Sequence, residues 1–293
     1  MTIATVTQVG LTSIERDLVP MGDGFAAYRC ADVAARRRML RAARATMREF
    51  RAEFGFKGSA ALLTSPDAQP KTGKNEARTL TLMLVPARSV LGNACPSASV
   101  GCGGDASHEG GCLNTSGKGR MHAVQYARLA RFAFMVSWPW EAGVILAHEL
   151  MRERVKHAGK PLGVRLNCVS DIRWERVAPA LLESLHGDGF TIYDYTAFTP
   201  RMREGRPDWY HVTYSAKESH TVDDIRELVE SGHNVAVPFH VGRHRPLPTV
   251  WHGMRVIDGD VTDWRPGDPV GVIVGLRAKG SAIGDTSGFV RHP

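Results

Sequence analysis

Three of the chain's five cysteines lie close together in one glycine-rich stretch. Cys95, Cys102 and Cys112 are separated by six and nine residues, within a loop from 93 to 120 that holds seven glycines. Structural zinc sites usually present cysteines in closely spaced pairs and use four ligands. Three widely spaced thiols instead suit three corners of a [4Fe–4S] cluster, and glycines let the backbone approach so bulky a group. We therefore predict a [4Fe–4S] site here, with a zinc-stabilised loop or three uninvolved thiols as the alternatives.

The sequence leaves the fourth ligand of such a cluster open. Cys168 lies in a predicted strand over 164–171, close enough to reach the same face as the loop. Side chains alternate along a strand, so Cys168 points outward under a helix if Asn167 points inward. Single buried cysteines usually act as small hydrophobic residues, and we expect Cys168 to do so. The remaining candidates are Cys30, His108 and Glu109.

A second ligand-binding feature is expected directly after the cysteine loop. The stretch "NTSGKGR" precedes a predicted helix, and backbone N–H groups at a helix N-terminus can hold an anion. The residues that would bind an anionic cofactor there are Ser116, Gly117, Lys118 and Arg120. The stretch lacks the spacing of a Walker A loop, and an ordinary flexible helix start is the simpler interpretation.

The elements that must position these residues alternate between strands and helices. Predicted strands include 79–86, "VRLNCVSD", "FTIYDYT", "WYHVTYS", "NVAVPFHV", "RVIDGD" and "VGVIVGLRAK", with amphipathic helices between several of them. Such alternation is typical of parallel βαβ units, and about seven strands favour a full or partial (β/α) TIM-like barrel. We expect residues 1–70 to form an N-terminal extension, with a short extended piece, an arginine-rich helix and a loop. Residues 71–293 would form the barrel domain that carries the cysteine loop.

Polar residues follow successive predicted strands of this domain. Active sites of (β/α) barrels lie at the carboxyl ends of the strands, so these residues are expected to line a substrate cleft. They are Asn167, Asp171, Asp194, Lys217, His240 and Arg243. Asp171 is the preferred hydrogen-bond acceptor or base among the carboxylates. Each residue taken alone would fit a strand-end cap or a salt bridge equally well.

The composition restricts the class of protein. The 293 residues are 43% hydrophobic and 23% charged, which excludes a disordered chain. No run of apolar residues is long enough for a membrane span, and the first residues lack the layout of a secretion signal. We therefore expect a cytoplasmic protein without membrane contact, in which clustered thiols serve metal binding or catalysis rather than disulfides.

Part of the net charge of +7 comes from one predicted helix, over 30–56. Its basic side chains are Arg36, Arg37, Arg38, Arg41, Arg44, Arg48 and Arg51. They cannot all face one side of a helix, and a solvated helix face is the simpler interpretation. The alternative is an electrostatic patch that contacts a polyanion such as nucleic acid.

The cysteine loop, the strand "VRLNCVSDIRWE", "FTIYDYT" and the ending "VIDGDVTDWRPGDPVGVIVGLRAKG" together resemble the gene-88-product-like proteins of actinobacterial bacteriophages. The likeness covers about 79–280 and implies Cys95, Cys102, Cys112 and Asp171 as matching positions. Many relatives carry further cysteines near the C-terminus, whereas this chain has none after Cys168. A phage origin would place the protein in the host cytoplasm.

The arrangement is also similar to that of the radical S-adenosylmethionine superfamily. In that superfamily, a loop after the first strand of a partial barrel holds a [4Fe–4S] cluster through three cysteines. The likeness implies S-adenosylmethionine as a further cofactor, bound at the open iron. The superfamily spacing C-x₃-C-x₂-C is absent here, so the likeness is one of loop position.

Three functions follow from these observations. The first is an iron–sulfur protein that acts as a redox or radical-type enzyme on an unknown substrate. The alternative is a basic nucleic-acid-associated protein with a structural iron–sulfur or zinc site. The third is a metal-free hydrolase that uses paired carboxylates such as Asp171 and Asp194, and it leaves the cysteine loop unexplained.

Overall fold

The structure is a computed structural model of the chain. It describes residues 11–68, 75–86, 93–105, 107, 109–112, 114 and 116–293. The candidate ligand His108 lies outside the described residues. None of the helices in the described part of the chain combines the length and the apolar character that crossing a membrane requires.

The described residues form nine strands in a single mixed sheet. The strands are β1 (Leu63–Thr64), β2 (Arg78–Leu82), β3 (Leu162–Arg165), β4 (Phe190–Thr196), β5 (Tyr210–Ser215), β6 (Val235–Phe239), β7 (Val250–Trp251), β8 (Met254–Asp258) and β9 (Ile273–Arg277). Their order in the sheet is β1-β2-β3-β4-β5-β6-β9-β8-β7. All neighbours from β2 to β8 pair in parallel, whereas β1 and β7 are antiparallel to their neighbours.

Eight α-helices accompany these strands in the described residues. They are α1 (Ser13–Cys30), α2 (Val33–Glu53), α3 (Val100–Gly103), α4 (His122–Ser137), α5 (Pro139–Lys156), α6 (Trp174–Val177), α7 (Pro179–Gly187) and α8 (Val222–Glu230). The sequence pattern of 173–187 is that of a single helix, but the structure divides it into α6 and α7 at Ala178. The division occurs because Pro179 cannot continue the preceding helix and starts a new one instead.

The α/β class predicted from the sequence is confirmed, but the sheet does not close into a barrel. β2 to β6 follow one another in chain order and in parallel, as in a barrel. The progression then breaks, because β9 and not the next strand lies beside β6. The two-residue antiparallel strands β1 and β7 form the edges, so the described sheet is open.

The two faces of the sheet differ in what covers them. Leu80, Val164, Ile192 and other alternate strand residues contact the helices in one hydrophobic core, and we call this side the helix face. On the opposite side, Trp264 packs edge-on against Tyr193, and a side chain at Gly163 would collide with it. We call this side the cavity face. The segment after β8 therefore covers this face at β3 and β4, and a cavity lies farther toward the carboxyl ends of the strands.

Helix α1 was not predicted; the sequence suggested an extended piece before the arginine-rich helix. The helix begins with a capping box, in which Thr12 accepts a hydrogen bond from the Glu15 N–H and Glu15 accepts one from the Thr12 N–H. The apolar residues Leu18, Met21 and Phe25 then recur on one side and are buried. The predicted extension over 1–70 is thus packed, in its described part, into the same hydrophobic core as the sheet.

Candidate iron–sulfur site

A cavity of about 230 Å³ lies on the cavity face, at the carboxyl ends of the parallel strands. Residues of β3, β4, β5, β6 and β9 that share this face line it: Arg165, Tyr195, Ser215, Ala236, Pro238 and Leu276. Such a position is where parallel α/β sheets place their ligands. The predicted location of the site is therefore matched by a cavity.

The three loop cysteines line this cavity together. Cys95, Cys102 and Cys112 all contribute to its wall, and the thiol of each lies within electrostatic reach of the other two. Burial raises the pKa of the Cys95 and Cys112 thiols. No three His, Cys, Asp or Glu side chains of the described residues are close enough together to hold a single metal ion. The three cysteines therefore line one cavity without converging on a single point.

Cys168 lines the same cavity, in contrast to the outward position that strand alternation predicted. β3 ends at Arg165, three residues earlier than Cys168. Alternation therefore no longer applies at Cys168, because the chain has already left the strand. Burial raises the pKa of this thiol as well.

Asp171 fastens the beginning of the cysteine loop to the sheet. Its carboxylate accepts hydrogen bonds from the hydroxyls of Ser97 and Thr196 and from the Ala197 N–H at 2.7 Å. Its own N–H donates to the Ala94 carbonyl at 2.8 Å, next to Cys95. The Asp171 carboxylate thus accepts hydrogen bonds from groups of the protein itself, because donors on the loop and on the sheet both reach it. The residue therefore positions the loop.

Glu218 holds the middle of the loop in place, a role for which no sequence motif was evident. Its carboxylate accepts hydrogen bonds from the Ser99 hydroxyl at 2.6 Å and from the Gly101 N–H at 2.8 Å. A Cβ atom at position 101 would lie 2.6 Å from Glu218, Ser287 and Phe289 atoms. Gly101 is therefore required for this close packing beside Cys102. Near the end of the loop, the Ser281 hydroxyl donates to the Gly110 carbonyl.

Lys217 follows β5 and reaches directly to a cysteine. Its Nζ donates to the Cys102 Sγ at 3.0 Å and lies 5.6 Å from the centre of the Phe289 ring. Burial alone would lower the pKa of Lys217, but the neighbouring Cys102 thiol outweighs it and the pKa is raised. The arrangement places a charged lysine beside the sulfur of Cys102.

A second cation lies on another side of the thiols. Arg128, on α4, is only 5% exposed and donates to the Asn114 side chain. Asn114 in turn donates its N–H to the Cys112 Sγ at 3.4 Å. The guanidinium lies within electrostatic reach of Cys112 and Cys168, and its Nε has no hydrogen-bond partner among the residues that the structure describes.

The cysteine loop and the sheet that carries it both lie within one known family. The family model described as Gene product 88 matches residues 56–293. The chain belongs to the Gene product 88 family. The family expected from the cysteine loop and the later strands is thereby confirmed. Neither the curated proteins nor the solved structures gave a match.

The extent of the Gene product 88 match divides the described chain at the end of α2. All four cavity cysteines lie within the matched residues, as do Asp171, Lys217 and Glu218. Helices α1 and α2 precede the match. The arginine-rich helix is therefore a feature that this chain adds to the part matched by the family model.

Several predicted substrate residues of this Gene product 88 protein lie away from the cavity. Asp194 is fully buried on the helix face, where its carboxylate accepts from the Asn167 N–H and the Tyr210 hydroxyl, both at 2.8 Å. His240 stacks on His292, with 4.8 Å between ring centres. Neither His240 nor the exposed Arg243 is among the described residues that line the cavity.

Asn167 lines the cavity, but its side chain serves the turn after β3. Its amide nitrogen donates to the Ile172 carbonyl at 2.8 Å, and its oxygen accepts from the Ile172 N–H at 2.9 Å. These bonds hold the segment that carries Cys168 in a compact turn. Asn167 therefore affects the site indirectly, by holding the segment that contains Cys168.

The predicted anion-binding stretch forms a separate turn. Gly117–Arg120 is a short 3₁₀ helix, and Lys118 and Arg120 are exposed. Ser116 accepts the Gly119 N–H at its carbonyl, at 2.9 Å. None of these four predicted cofactor-binding residues is among the described residues that line the cavity.

Proposed function

We propose that this protein binds a [4Fe–4S] cluster through Cys95, Cys102 and Cys112 and uses it in a redox or radical-type reaction. The observation that carries the proposal is the gathering of these thiols around one cavity at the carboxyl ends of parallel strands. When bound, such a cluster supplies one-electron chemistry. The substrate class stays open, since the cavity wall includes both apolar and charged groups.

The thiols favour a cluster over a single zinc ion. A zinc site draws its ligands to one tetrahedral point, about 2.3 Å from each sulfur. The described ligand-type side chains do not converge in that way. A cubane instead binds thiolates at separate corners of a larger body. Such a body suits cysteines that line one cavity without converging on a single point.

The protein's own groups would hold the thiolates ready for the cluster. Lys217 donates a hydrogen bond to Cys102, and such bonds to cluster sulfurs are one means of setting a reduction potential. Asp171 and Glu218 fix two places on the loop. Loop positioning of this kind reduces the entropy lost when the ligands are ordered.

A redox role and a radical-type role differ in one structural respect. A radical reaction with S-adenosylmethionine needs an iron that no protein ligand occupies, as the resemblance to that superfamily implies. Simple electron transfer needs no open iron. The number of cysteine ligands therefore decides between the two roles.

The proposal is tested by anaerobic purification of the wild type and Cys102→Ala, with iron, acid-labile sulfide and zinc measured per chain. We expect about four irons and four sulfides in the wild type. Cys102→Ala should lose most of this iron together with the brown absorption, because only two of the three loop cysteines would remain to hold the cluster. Cys30→Ala is the matched control and should retain both, since Cys30 is exposed on α1. Stoichiometric zinc without sulfide, or no metal, would contradict the proposal.

A second candidate function is contact with nucleic acid through α2. Arg37, Arg41, Arg44 and Arg48 recur at helical spacing and are all exposed. The opposite side of the helix is buried, through Ala43, Met47 and Phe50. None of the four guanidinium groups forms an ion pair with a residue that the structure describes. Four unpaired cations along one face suit a phosphate backbone.

The nucleic-acid candidate predicts strong salt dependence. Duplex DNA binding should weaken as salt rises, and Arg→Gln at positions 37, 41, 44 and 48 should reduce the log–log salt slope by about 3 to 4. A control with the same charge loss replaces the exposed Lys57, Lys160, Arg243 and Arg255 by glutamine. The control should keep most of the slope. Equal losses in the two variants, measured by fluorescence anisotropy, would show that net charge alone is responsible.

A further inference from the structure

We propose that Cys168 is the fourth ligand of the cluster, so that four cysteines bind it and no iron remains open. This inference rests on the proposed function. It concerns the ligand set, and its test separates it from the presence of the cluster itself.

The position of Cys168 relative to the loop is fixed by backbone contacts. The Cys168 N–H donates to the Leu82 carbonyl at the end of β2, at 3.4 Å. Three residues later, the Asp171 N–H donates to the Ala94 carbonyl, next to the first loop cysteine. The segment from 168 to 171 thus runs alongside the start of the loop, and Cys168 lines the same cavity as the three loop cysteines.

The charges around the thiols supply an independent argument. Three cations of the cavity wall are paired with carboxylates: Arg165 with Asp263, Arg277 with Asp258, and Lys279 with Asp260. Lys217 and Arg128 differ, because neither forms an ion pair with a described carboxylate. Lys217 donates to Cys102, and Arg128 lies within electrostatic reach of Cys112 and Cys168.

A charge that is removed from water needs a compensating charge nearby. Four thiolates around an oxidised cubane core leave a net charge of about −2, whereas three leave about −1. Lys217 also lies within electrostatic reach of Asp171, whereas Arg128 lies within reach of Cys112 and Cys168. Ligation of the cluster by Cys168 would place the additional negative charge beside Arg128.

Arg128 also lies close to both a loop cysteine, Cys112, and Cys168. Its side chain is buried, and its Nε has no hydrogen-bond partner among the described groups. It is held in place through Asn114, whose N–H donates to Cys112. Arg128 therefore lies beside one loop thiol and beside Cys168, where an anionic cluster between them would supply the missing compensation.

The test compares wild type, Cys168→Ala, Cys168→Ser and Cys30→Ala after anaerobic cluster loading. Iron and sulfide are measured before and after mild oxidation, and electron paramagnetic resonance identifies the cluster type. We expect the wild type and Cys30→Ala to keep about four irons. Cys168→Ala should lose about one iron on oxidation and show a [3Fe–4S] signal. Cys168→Ser should lose iron more slowly than Cys168→Ala, because an alkoxide still binds iron, although more weakly than a thiolate does. Circular dichroism confirms that each variant is folded.

Two outcomes would overturn the inference while leaving the proposed function intact. The first is a folded Cys168→Ala protein whose cluster withstands oxidation as the wild type does. The second is a change in the resonance of the reduced wild-type cluster on addition of S-adenosylmethionine, because that change requires an open iron. Absence of iron and sulfide from the wild type would instead contradict the proposed function itself.

Discussion

Replacing Glu15 by alanine is expected to lower the free energy of unfolding by about 3–5 kcal/mol, the range for breaking a buried ion pair from one side. Glu15 is fully buried and accepts hydrogen bonds from the Arg173 backbone, Nε and Nη2 at 2.9, 2.9 and 2.6 Å. The substitution also removes the capping box of α1. Arg173 would remain buried without its carboxylate. Equilibrium denaturation in urea measures the loss.

The control for Glu15 is Asp17→Ala, which removes an exposed carboxylate from the same helix. It should change stability by less than about 0.5 kcal/mol. The pH dependence gives a second test. Burial opposes ionisation, but the bonds from Arg173 and Thr12 outweigh it and hold the pKa of Glu15 below its ordinary value. Its contribution is therefore present above the unfolded pKa of about 4.3 and is lost as pH falls through the folded pKa. Glu15→Ala should flatten this acid limb, and an unchanged limb would contradict the assignment.

Replacing Gly143 by alanine is expected to destabilise the protein by at least about 3 kcal/mol, the upper range for overpacking a core. A Cβ atom at this position would lie 2.0 Å from the Met21 carbonyl oxygen of α1. The obstacle is backbone, so no side chain can rotate away, and α1 and α5 must separate. The reciprocal contact is equally close, since a Cβ at Gly24 would lie 2.0 Å from the Trp140 carbonyl oxygen. Thermal unfolding should show a melting temperature lowered by roughly 5–10 °C.

The control for Gly143 is Gly187→Ala, at the end of α7. A Cβ atom there meets nothing within 4 Å, and the residue has no left-handed backbone conformation. The substitution should leave stability unchanged or raise it by up to about 1 kcal/mol, through helix propensity. Similar losses in the two variants would show that the general sensitivity of helical glycines, and not the close helix contact, explains the result at Gly143.

The sequence was sufficient for the features that depend on local patterns. The pattern of "FTIYDYT" predicted β4 with the bounds observed, and α8 begins with a capping box formed by Thr221 and Asp224. The place of the cysteine loop after an early strand also followed from residue types and spacing, as did the position of Asp171 and Lys217 beyond the ends of strands that line the cavity. Residues at the carboxyl ends of parallel strands meet because the topology brings those ends together.

The features that the sequence did not predict depend on where a strand ends or on which face a residue lies. Asp194 was expected in the cleft, but its place in the alternation of β4 puts it on the helix face. Cys168 was expected outside the cavity because the strand was drawn too long. The predicted barrel was wrong for a third reason. β9 pairs with β6, and pairing between strands that are distant in the chain leaves no local pattern in the sequence. Glu218 likewise has no motif around it.

The contacts that hold the cysteine loop in place affect the order in which the site is completed during synthesis. Ser281 and Phe289 contact the loop from the C-terminal part of the chain, and Arg291 donates to the Lys217 carbonyl at 2.7 Å. At about 5–20 residues per second, roughly 10 to 30 seconds separate the synthesis of Cys112 from that of Ser281. Throughout that interval the thiols are exposed to oxygen without the contacts that later bury them. If the cysteines bind the proposed cluster, oxygen during expression should therefore reduce the fraction of protein that can be loaded.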